Sequence, residues 1–585
     1  MNFILPGICC YNKKLSASGT LITKAENEKI ELIMDGIFFD NETNRDDASF
    51  ALEIYTKNGI KAIVERNGNF NIAILHKNSG NIEFISDVLA TKPWYFYQKG
   101  SVFSVAPTPS FFAEKNLDME LNKNAVFETV LYNYTLSDHT LIKEISRNKP
   151  FHHFTLKENT VKPEKNYDIH IPEKKEYDTK EKMADRIFEI IDRNIKSVVN
   201  HKLLKNLEIQ LPFTGGFDSR HILGTLLQSG NTPSLLRHID IQKIDAEPVK
   251  VISEALGIPL KLKNISEIDH RLIIEQWLKR TAGLTNFHQN YLFDLMFDMP
   301  QKQMIGFDGY LMDSLMGIRP KFKLNKDFSP SDFILNMTYG SPSCHHELFK
   351  DYDKLMAKCR KNIKKRDEFL PGNNFEGGLI QQILCRSVNY TGAILPVTGD
   401  NYLNFAPGAS INALNFAFNS SWETGMYNKA RFLMLEKYMP EMDQHPSVYG
   451  IRYSELNKKT SNLSIYKTTR QENRIKFRHE GFLRNTGKII PLITMGLFEP
   501  VKEGEHYWLR KIPPFKNLME IFVDNCLIAK DGFIEEASLK KIWKKHHSGA
   551  LNGWTLMNLF TVETAYRTLV KKEKTKIIIN RYFEN

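Results

Sequence analysis

The first 170 residues carry apolar and polar positions in short alternating runs. GTLITK, KIELIMDGIFFDN, NGNFNIAIL, NIEFISD, PWYFYQKGSVFSVA and HHFTLKENTV share this period of two and are separated by turn residues. A period of two places every second side chain on one face, so these runs predict antiparallel strands. Helical spacing interrupts them near residues 49–58 and 123–131. Residues 171–178, IPEKKEYD, are charged and polar and predict a linker. From Thr179 onward helices dominate. Apolar runs near residues 207–213, 234–240 and 303–306 predict buried strands among them. Strands alternating with helices predict a parallel sheet that takes ligands at the carboxyl ends of its strands. The expected division is therefore 1–170, a linker at 171–178, and 179–585.

Length supports this division, because 585 residues exceed what one core organises. A hydrophobic content of 42% with 25% charged residues is that of a folded globular chain. No apolar run reaches 18 residues, so neither a spanning helix nor a membrane partner is expected. The start, MNFILPGICCYNKK, lacks a leading basic region and reads as a first strand. The net charge of +11 comes from 79 basic against 68 acidic residues. Runs such as PEKKEYDTKEK and RTLVKKEKTK read as solvated helix faces. No zinc-finger or RNA-binding spacing accompanies them, so nucleic acid is not an expected partner. The six cysteines are scattered without CxxC spacing, which argues against a disulfide framework or zinc site and for a reducing, cytoplasmic location. His345 and His346 beside Cys344 read as a surface loop.

The chemistry is concentrated in LEIQLPFTGGFDSR. Leu207, Ile209, Leu211 and Phe213 form a strand pattern that runs into Thr214-Gly215-Gly216-Phe217-Asp218-Ser219, and HILGTLLQSG follows with helical character. Strand, glycine turn and helix suit phosphate, because glycine lets the backbone approach and the first helical N–H groups face an anion. The loop lacks the lysine of GxxxxGK[ST], which excludes the usual kinase and ATPase loop. It resembles the SGGxDS loop of the N-type ATP pyrophosphatases, with Thr214 in place of serine. The resemblance implies that residues 214–219 hold the pyrophosphate of ATP while a substrate attacks the α-phosphorus. It also places Leu211 and Gly306 in the nucleotide site.

Further segments extend the likeness. Arg66-Asn67-Gly68-Asn69-Phe70, Ile85-Ser86-Asp87 through Thr91-Lys92-Pro93-Trp94-Tyr95, and Phe103-Ser104-Val105-Ala106 resemble the LNGxFA, RDxxGxKPLYY and FASE segments of a class II glutaminase domain. Asp245-Ala246-Glu247, Leu395 to Leu403 and Lys429-Ala430-Arg431 to Pro440 resemble segments of the synthetase half. The chain is thus similar to the asparagine synthetase family. The resemblance implies an α/β and α+β chain: an N-terminal Ntn-type αββα sandwich, then a parallel-sheet PP-loop domain of the adenine-nucleotide α-hydrolase kind with extra helices.

Departures from the family refine the expectation. Met1-Asn2-Phe3 stands where the family has its N-terminal cysteine nucleophile. Asp35 replaces an asparagine that donates to the oxyanion, and an ionised carboxylate offers only acceptors. Ile37 occupies the glutamate position of the glutamine-binding segment. Cys9 or Cys10 would become N-terminal only after cleavage. The expected state is a retained scaffold without glutaminase activity. In the synthetase half, either Asp308 or Asp313 matches the family's second aspartate; Asp313 is favoured because SLMG follows it. Asp218 and Asp313 are then the expected Mg2+ ligands, since magnesium takes carboxylates and phosphate oxygens. Lys458, Lys459 and Lys467 follow the last shared segment, and Lys459 is favoured as the catalytic lysine.

Together these imply an ATP- and Mg2+-dependent ligase that adenylates a small-molecule or peptide carboxylate and joins it to an amine. A lost glutaminase suggests macrolactam formation, as in β-lactam synthetases and lasso-peptide cyclases. Glutamine-hydrolysing asparagine synthesis and sugar-acid amidation are the alternatives within enzymes, and a non-catalytic nucleotide- or partner-binding module is the alternative outside them. A homodimer or a partner biosynthetic enzyme is the expected assembly.

Overall fold

The computed structural model describes residues 21–583 apart from 44, 159, 241–245, 291–302, 318–328, 339–341, 369, 373, 394, 396–401, 422–423, 425–427, 446–451 and 459–503. Strands β1 (Ile22–Glu26), β2 (Ile30–Phe38), β3 (Gly68–His76) and β4 (Ile82–Ser86) form one antiparallel sheet with β8 (His152–Lys157) and β9 (Thr160–Lys165), in the order β1-β2-β3-β4-β8-β9. A second antiparallel sheet has the order β6-β5-β7, from β5 (Tyr95–Lys99), β6 (Val102–Ala106) and β7 (Ile145–Arg147).

The period of two becomes layers. Leu32, Met34, Phe70 and Ile72 pack against Ala48, Ala51 and Leu52 of the helix Asp47–Asn58. The opposite sheet face sends Ala73, Phe84 and Phe154 into a core with Phe96 and Val105 of the second sheet. Tyr95 and Tyr97 then point away from that core toward Val126 and Val130 of the helix Lys123–Tyr132. Helix, sheet, sheet, helix is the expected αββα sandwich. The six runs became strands because each has one face to bury on a neighbouring layer.

The C-terminal part is built on a parallel sheet. Its strands are β10 (Glu208–Pro212), β11 (Leu235–Asp240), β12 (Leu260–Asn264), β13 (Met304–Phe307) and β14 (Tyr402–Phe405), in the order β12-β11-β10-β13-β14. Every pairing in it is parallel. The chain moves outward from β10 to β12 and then returns to the other side of β10. The crevice between β10 and β13 is therefore the topological switch point, where open parallel sheets take their ligands. β12 and β14 are absent from the sequence expectation: LKLKN is largely polar and YLNF is only four residues long.

Within the 171–178 segment Tyr177 bridges to Ser420, and Lys175 pairs with Glu376 at 2.5 Å. Two expectations are corrected. His345 is buried on the helix Pro342–Leu348 and not in a surface loop. Arg567, in the charge run read as solvated, is buried between Glu563 at 2.7 Å and Glu573 at 2.9 Å.

The two halves are joined by polar side chains as well as by apolar packing. The Asn69 amide donates to Ala409 O at 3.0 Å, and its carbonyl accepts from Ala406 N at 2.8 Å. Asn67 donates to Asn194 Oδ1 at 2.6 Å, and Asn194 donates onward to Pro407 O at 2.8 Å. Helices after residue 503 complete the join, with Leu556, Leu559 and Phe560 sharing one core with Val126 and Val130. Among the described residues no helix is long and apolar enough to cross a membrane.

Candidate functional site

The loop after β10 opens the helix Phe217–Gln228, whose N-cap is Gly216. Gly216 has no side chain to cap the helix, and no side-chain capping bond is made at this helix start. The first helical N–H groups attract anions. Gly215 lies at φ 65°, and a Cβ there would stand 3.2 Å from Val249. The loop needs glycine for both reasons. Thr214 and Ser219 hydroxyls lie 3.3 Å apart, and Ser219 Oγ donates to Gly216 O at 3.1 Å. Arg220, buried behind the loop, donates from Nε to Gly215 O at 2.9 Å and from Nη1 to Met442 O at 3.0 Å. The loop is thereby held to the segment after the helix Lys429–Tyr438.

Asp218, in the first turn of that helix, sits beside the end of β13. A Cβ on Gly309 would come within 2.7 Å of Asp218 Cβ, so the backbone after β13 passes against the carboxylate. Asp308, just before Gly309, accepts from Tyr310 N at 2.8 Å. Burial pushes the Asp308 carboxyl up to about 6; the Tyr310 amide works against this, and the charge of Asp218 adds to it. Two carboxylates at adjacent strand ends on the switch point form a site with a need for positive charge.

Part of that charge comes from Arg431. Its Nη2 donates to Asp218 Oδ1, and its guanidinium lies 4.2 Å from the Phe217 ring centroid. Asn428 Oδ1 accepts from Arg431 Nη1 at 3.4 Å. His221, on the same helix, is driven down to about 3 by burial and by Arg431, so it is neutral at pH 7.

The structure brings Thr214, Gly215, Gly216, Phe217, Asp218 and Ser219 together with Asp308. Asp313 lies further on, in the short helix Met312–Leu315, with the Ser314 hydroxyl 3.1 Å from its Oδ1. Leu211 is fully buried in the core beneath the sheet. Gly306 has a packing role: a Cβ there would stand 1.7 Å from the Tyr402 hydroxyl, which crosses it to reach Gln210 O at 3.3 Å. Lys459, Lys467, Asp245, Cys9, Cys10 and residues 396–401 lie outside the described residues, and Lys458 closes the helix Tyr453–Lys458. Arg431 and Arg220 carry no role in the sequence reading. The available signal is one of position, with Arg220 directly after the loop and Arg431 inside a segment already set apart.

The N-terminal half presents a second candidate site. Asp35 is buried on β2, and its Oδ1 accepts from Lys92 Nζ at 2.8 Å and from Leu21 N at 3.0 Å. This carboxylate is thus paired with a lysine from another segment.

Residues 29–168 match the family model of a glutamine amidotransferase domain. That span covers the αββα layers apart from β1, and this part of the chain is a class II amidotransferase-like domain. No curated protein matches the chain. One similar structure is described as the allosteric regulatory enzyme of purine biosynthesis, at 9% identity and TM-score 0.19, covering 42% of this chain and 62% of that one. Another is the glutamine phosphoribosylpyrophosphate amidotransferase from B. subtilis complexed with ADP and GMP, at 9% identity and TM-score 0.18, covering 50% and 59%. The chain spans about three fifths of each of these proteins. Likenesses this weak add nothing to the topology described above.

Proposed function

We propose that this protein is an ATP-dependent amide-forming ligase of the asparagine synthetase type. A carboxylate oxygen of the substrate attacks the α-phosphorus of ATP and pyrophosphate leaves. An amine then attacks the acyl carbon, loses a proton and releases AMP. The observation that carries the reading is the juxtaposition at the switch point: an uncapped glycine-turn helix start, with Asp218 and Asp308 beside it. The helical N–H groups and the Thr214 and Ser219 hydroxyls suit a pyrophosphate group.

The donor set fits magnesium, since two carboxylates beside an anion site leave charge that a divalent cation balances. Magnesium bound there neutralises the phosphate charge that builds as the α–β bond breaks. Asp218 and Asp308 are the residues proposed to hold it. Asp308 takes precedence over Asp313 because its carboxyl feels the charge of Asp218. Arg431 holds Asp218 in place.

Asp35 supports an amidotransferase scaffold without glutamine hydrolysis, because its ionised carboxylate brings only acceptors where the family has a donor. The amine is therefore proposed to be ammonia, a second substrate or an amine of the same molecule, the last giving a macrolactam. One observation favours a binding module instead: Arg431 already satisfies Asp218 without a metal. Pyrophosphate and AMP release from Mg-ATP, across a panel of carboxylates and precursor peptides with ammonia or glutamine, separates the two. AMP formed with ammonia and abolished in Asp218→Ala supports the ligase. Nucleotide binding without AMP across the panel supports the module.

A further inference from the structure

The helix Tyr352–Asp367 belongs to the C-terminal half and packs on the N-terminal one. Its buried positions Leu355, Cys359 and Ile363 recur at one turn and share a core with Val126 and Val130 of the helix Lys123–Tyr132. The Tyr352 ring meets that of Phe127 at 5.4 Å. This packing fixes the side that faces water. On it stand Lys354, Lys358, Lys361 and Lys365, all exposed and at successive turns. At helical rise they form a straight stripe about 16 Å long. Arg360 and Lys364 are exposed along its flank.

The stripe lacks the acidic neighbours that other helices carry. Lys57, Lys196, Lys279 and Lys540 each pair with a carboxylate four residues earlier on their own helix. In Tyr352–Asp367 the acids stand only at the ends, as Asp353 and Asp367, and Asp367 is bonded to Ser331 N and Gln381. Asp351, just before the helix, is taken by Lys123 at 2.9 Å and feels Lys354 only at longer range. Among the described residues no carboxylate forms an ion pair with the four lysines. Like charges one turn apart destabilise a helix, so the free chain carries a cost that a facing row of carboxylates removes.

The composition of the face selects its occupant. Arginine is the side chain whose fork matches phosphate, and the stripe itself is lysine throughout. The only exposed uncharged residues of the helix are Ala357 and Asn362. The outward face thus has no aromatic ring to stack on a base and no large apolar side chain to enter a lipid interface. Two copies meeting across it would set lysine against lysine.

We propose that the stripe from Lys354 to Lys365 docks an acidic helix of a partner protein, with carboxylates at three- and four-residue spacing. Laid along the stripe, such a helix sets a carboxylate row beside the ammonium row, with the same step of about 5–6 Å. The surface uses no residue of the 214–219 loop, and the inference does not depend on the ligase reading.

The test uses the full chain and a fluorescein-labelled, alanine-based peptide with glutamate at every fourth position, read by anisotropy at low salt. In Lys358→Gln/Lys361→Gln/Lys365→Gln the dissociation constant is expected to rise at least about tenfold, with a weaker dependence on salt. Lys174→Gln/Lys205→Gln/Lys530→Gln removes the same charge from exposed lysines elsewhere and is expected to bind within about twofold of the parent. Lys361→Glu creates an acid–lysine pair with Lys365, so its Tm should rise while peptide binding falls. Equal losses in the two triple variants would mean that net charge alone attracts the peptide, and would overturn the proposal. Peptide binding unchanged in the stripe variant does the same. So does tighter binding of a single-stranded oligonucleotide or of phosphatidylserine vesicles that is lost in the stripe variant, which assigns the face to nucleic acid or to a membrane instead.

Discussion

Arg431 and Asp218 form an ion pair in which the guanidinium side chain is 2% exposed and the carboxylate 31% exposed. The cation is thus built into the core, and the anion faces the crevice between β10 and β13. Removing the carboxylate leaves a buried charge without its partner. Asp218→Asn is expected to abolish AMP formation and to lower stability by about 1–3 kcal/mol, less than a fully buried pair would lose because Asp218 is partly solvated. Activity and urea unfolding measured on the same preparation check both parts.

Gly309 offers a substitution that reaches the site without touching a charge. A Cβ 2.7 Å from Asp218 Cβ must displace that side chain or the strand end. Gly309→Ala is expected to reduce AMP formation by about 10²-fold, the scale of a misplaced catalytic group. The loss of stability should stay within about 1–3 kcal/mol. Near-normal activity would show that the approach of β13 to Asp218 is not used.

Asp308 gives a pH dependence. Its folded carboxyl titrates near 6, above the usual carboxylate value, so the folded protein binds more protons than the unfolded chain between about pH 4 and 6. Stability contributed by this group is present below that window and declines as pH rises through it. Asp308→Asn is expected to flatten this part of the profile and to be more stable than the parent at pH 7 by about 1–2 kcal/mol in the absence of nucleotide. The same variant should lose Mg-ATP turnover, while Asp313→Asn retains more. Denaturant titrations at several pH values and AMP release provide the readouts.

Asp35 and Lys92 form a buried pair on the amidotransferase-like domain, with Lys92 Nζ 2.8 Å from Asp35 Oδ1. Lys92→Met is expected to cost about 3 kcal/mol by stranding the carboxylate, whereas the double replacement Asp35→Asn/Lys92→Met should cost less than the sum of the singles. A double-mutant cycle by chemical denaturation measures the coupling. Glutamate release from glutamine should stay at background in every variant of the cycle.

Asn69 spans the halves with bonds to Ala406 and Ala409. Asn69→Ala leaves those backbone groups unsatisfied in a buried interface and is expected to cost about 1–3 kcal/mol. Separation of the unfolding curve into two transitions would show that this contact helps couple the halves.

The sequence by itself determined what depends on neighbours along the chain. Period-two runs located the N-terminal strands because each pleated segment buries one face wherever its partner lies. The strand, TGGFDS and helix located the glycine loop because φ above zero and a helix start without a side-chain cap are local properties. β12 and β14 escaped this reading, since strands of five and four residues are too short for a period to stand out from their surroundings. The tertiary structure decided everything that depends on distant segments meeting. Arg431 pairs with Asp218 across 213 positions, and Asn69 meets Ala409 across 340. The same holds for Asp308 and for the Asp35–Lys92 pair. Each is an ordinary charged residue in its own segment, and its environment exists only after the sheets and helices have packed around it.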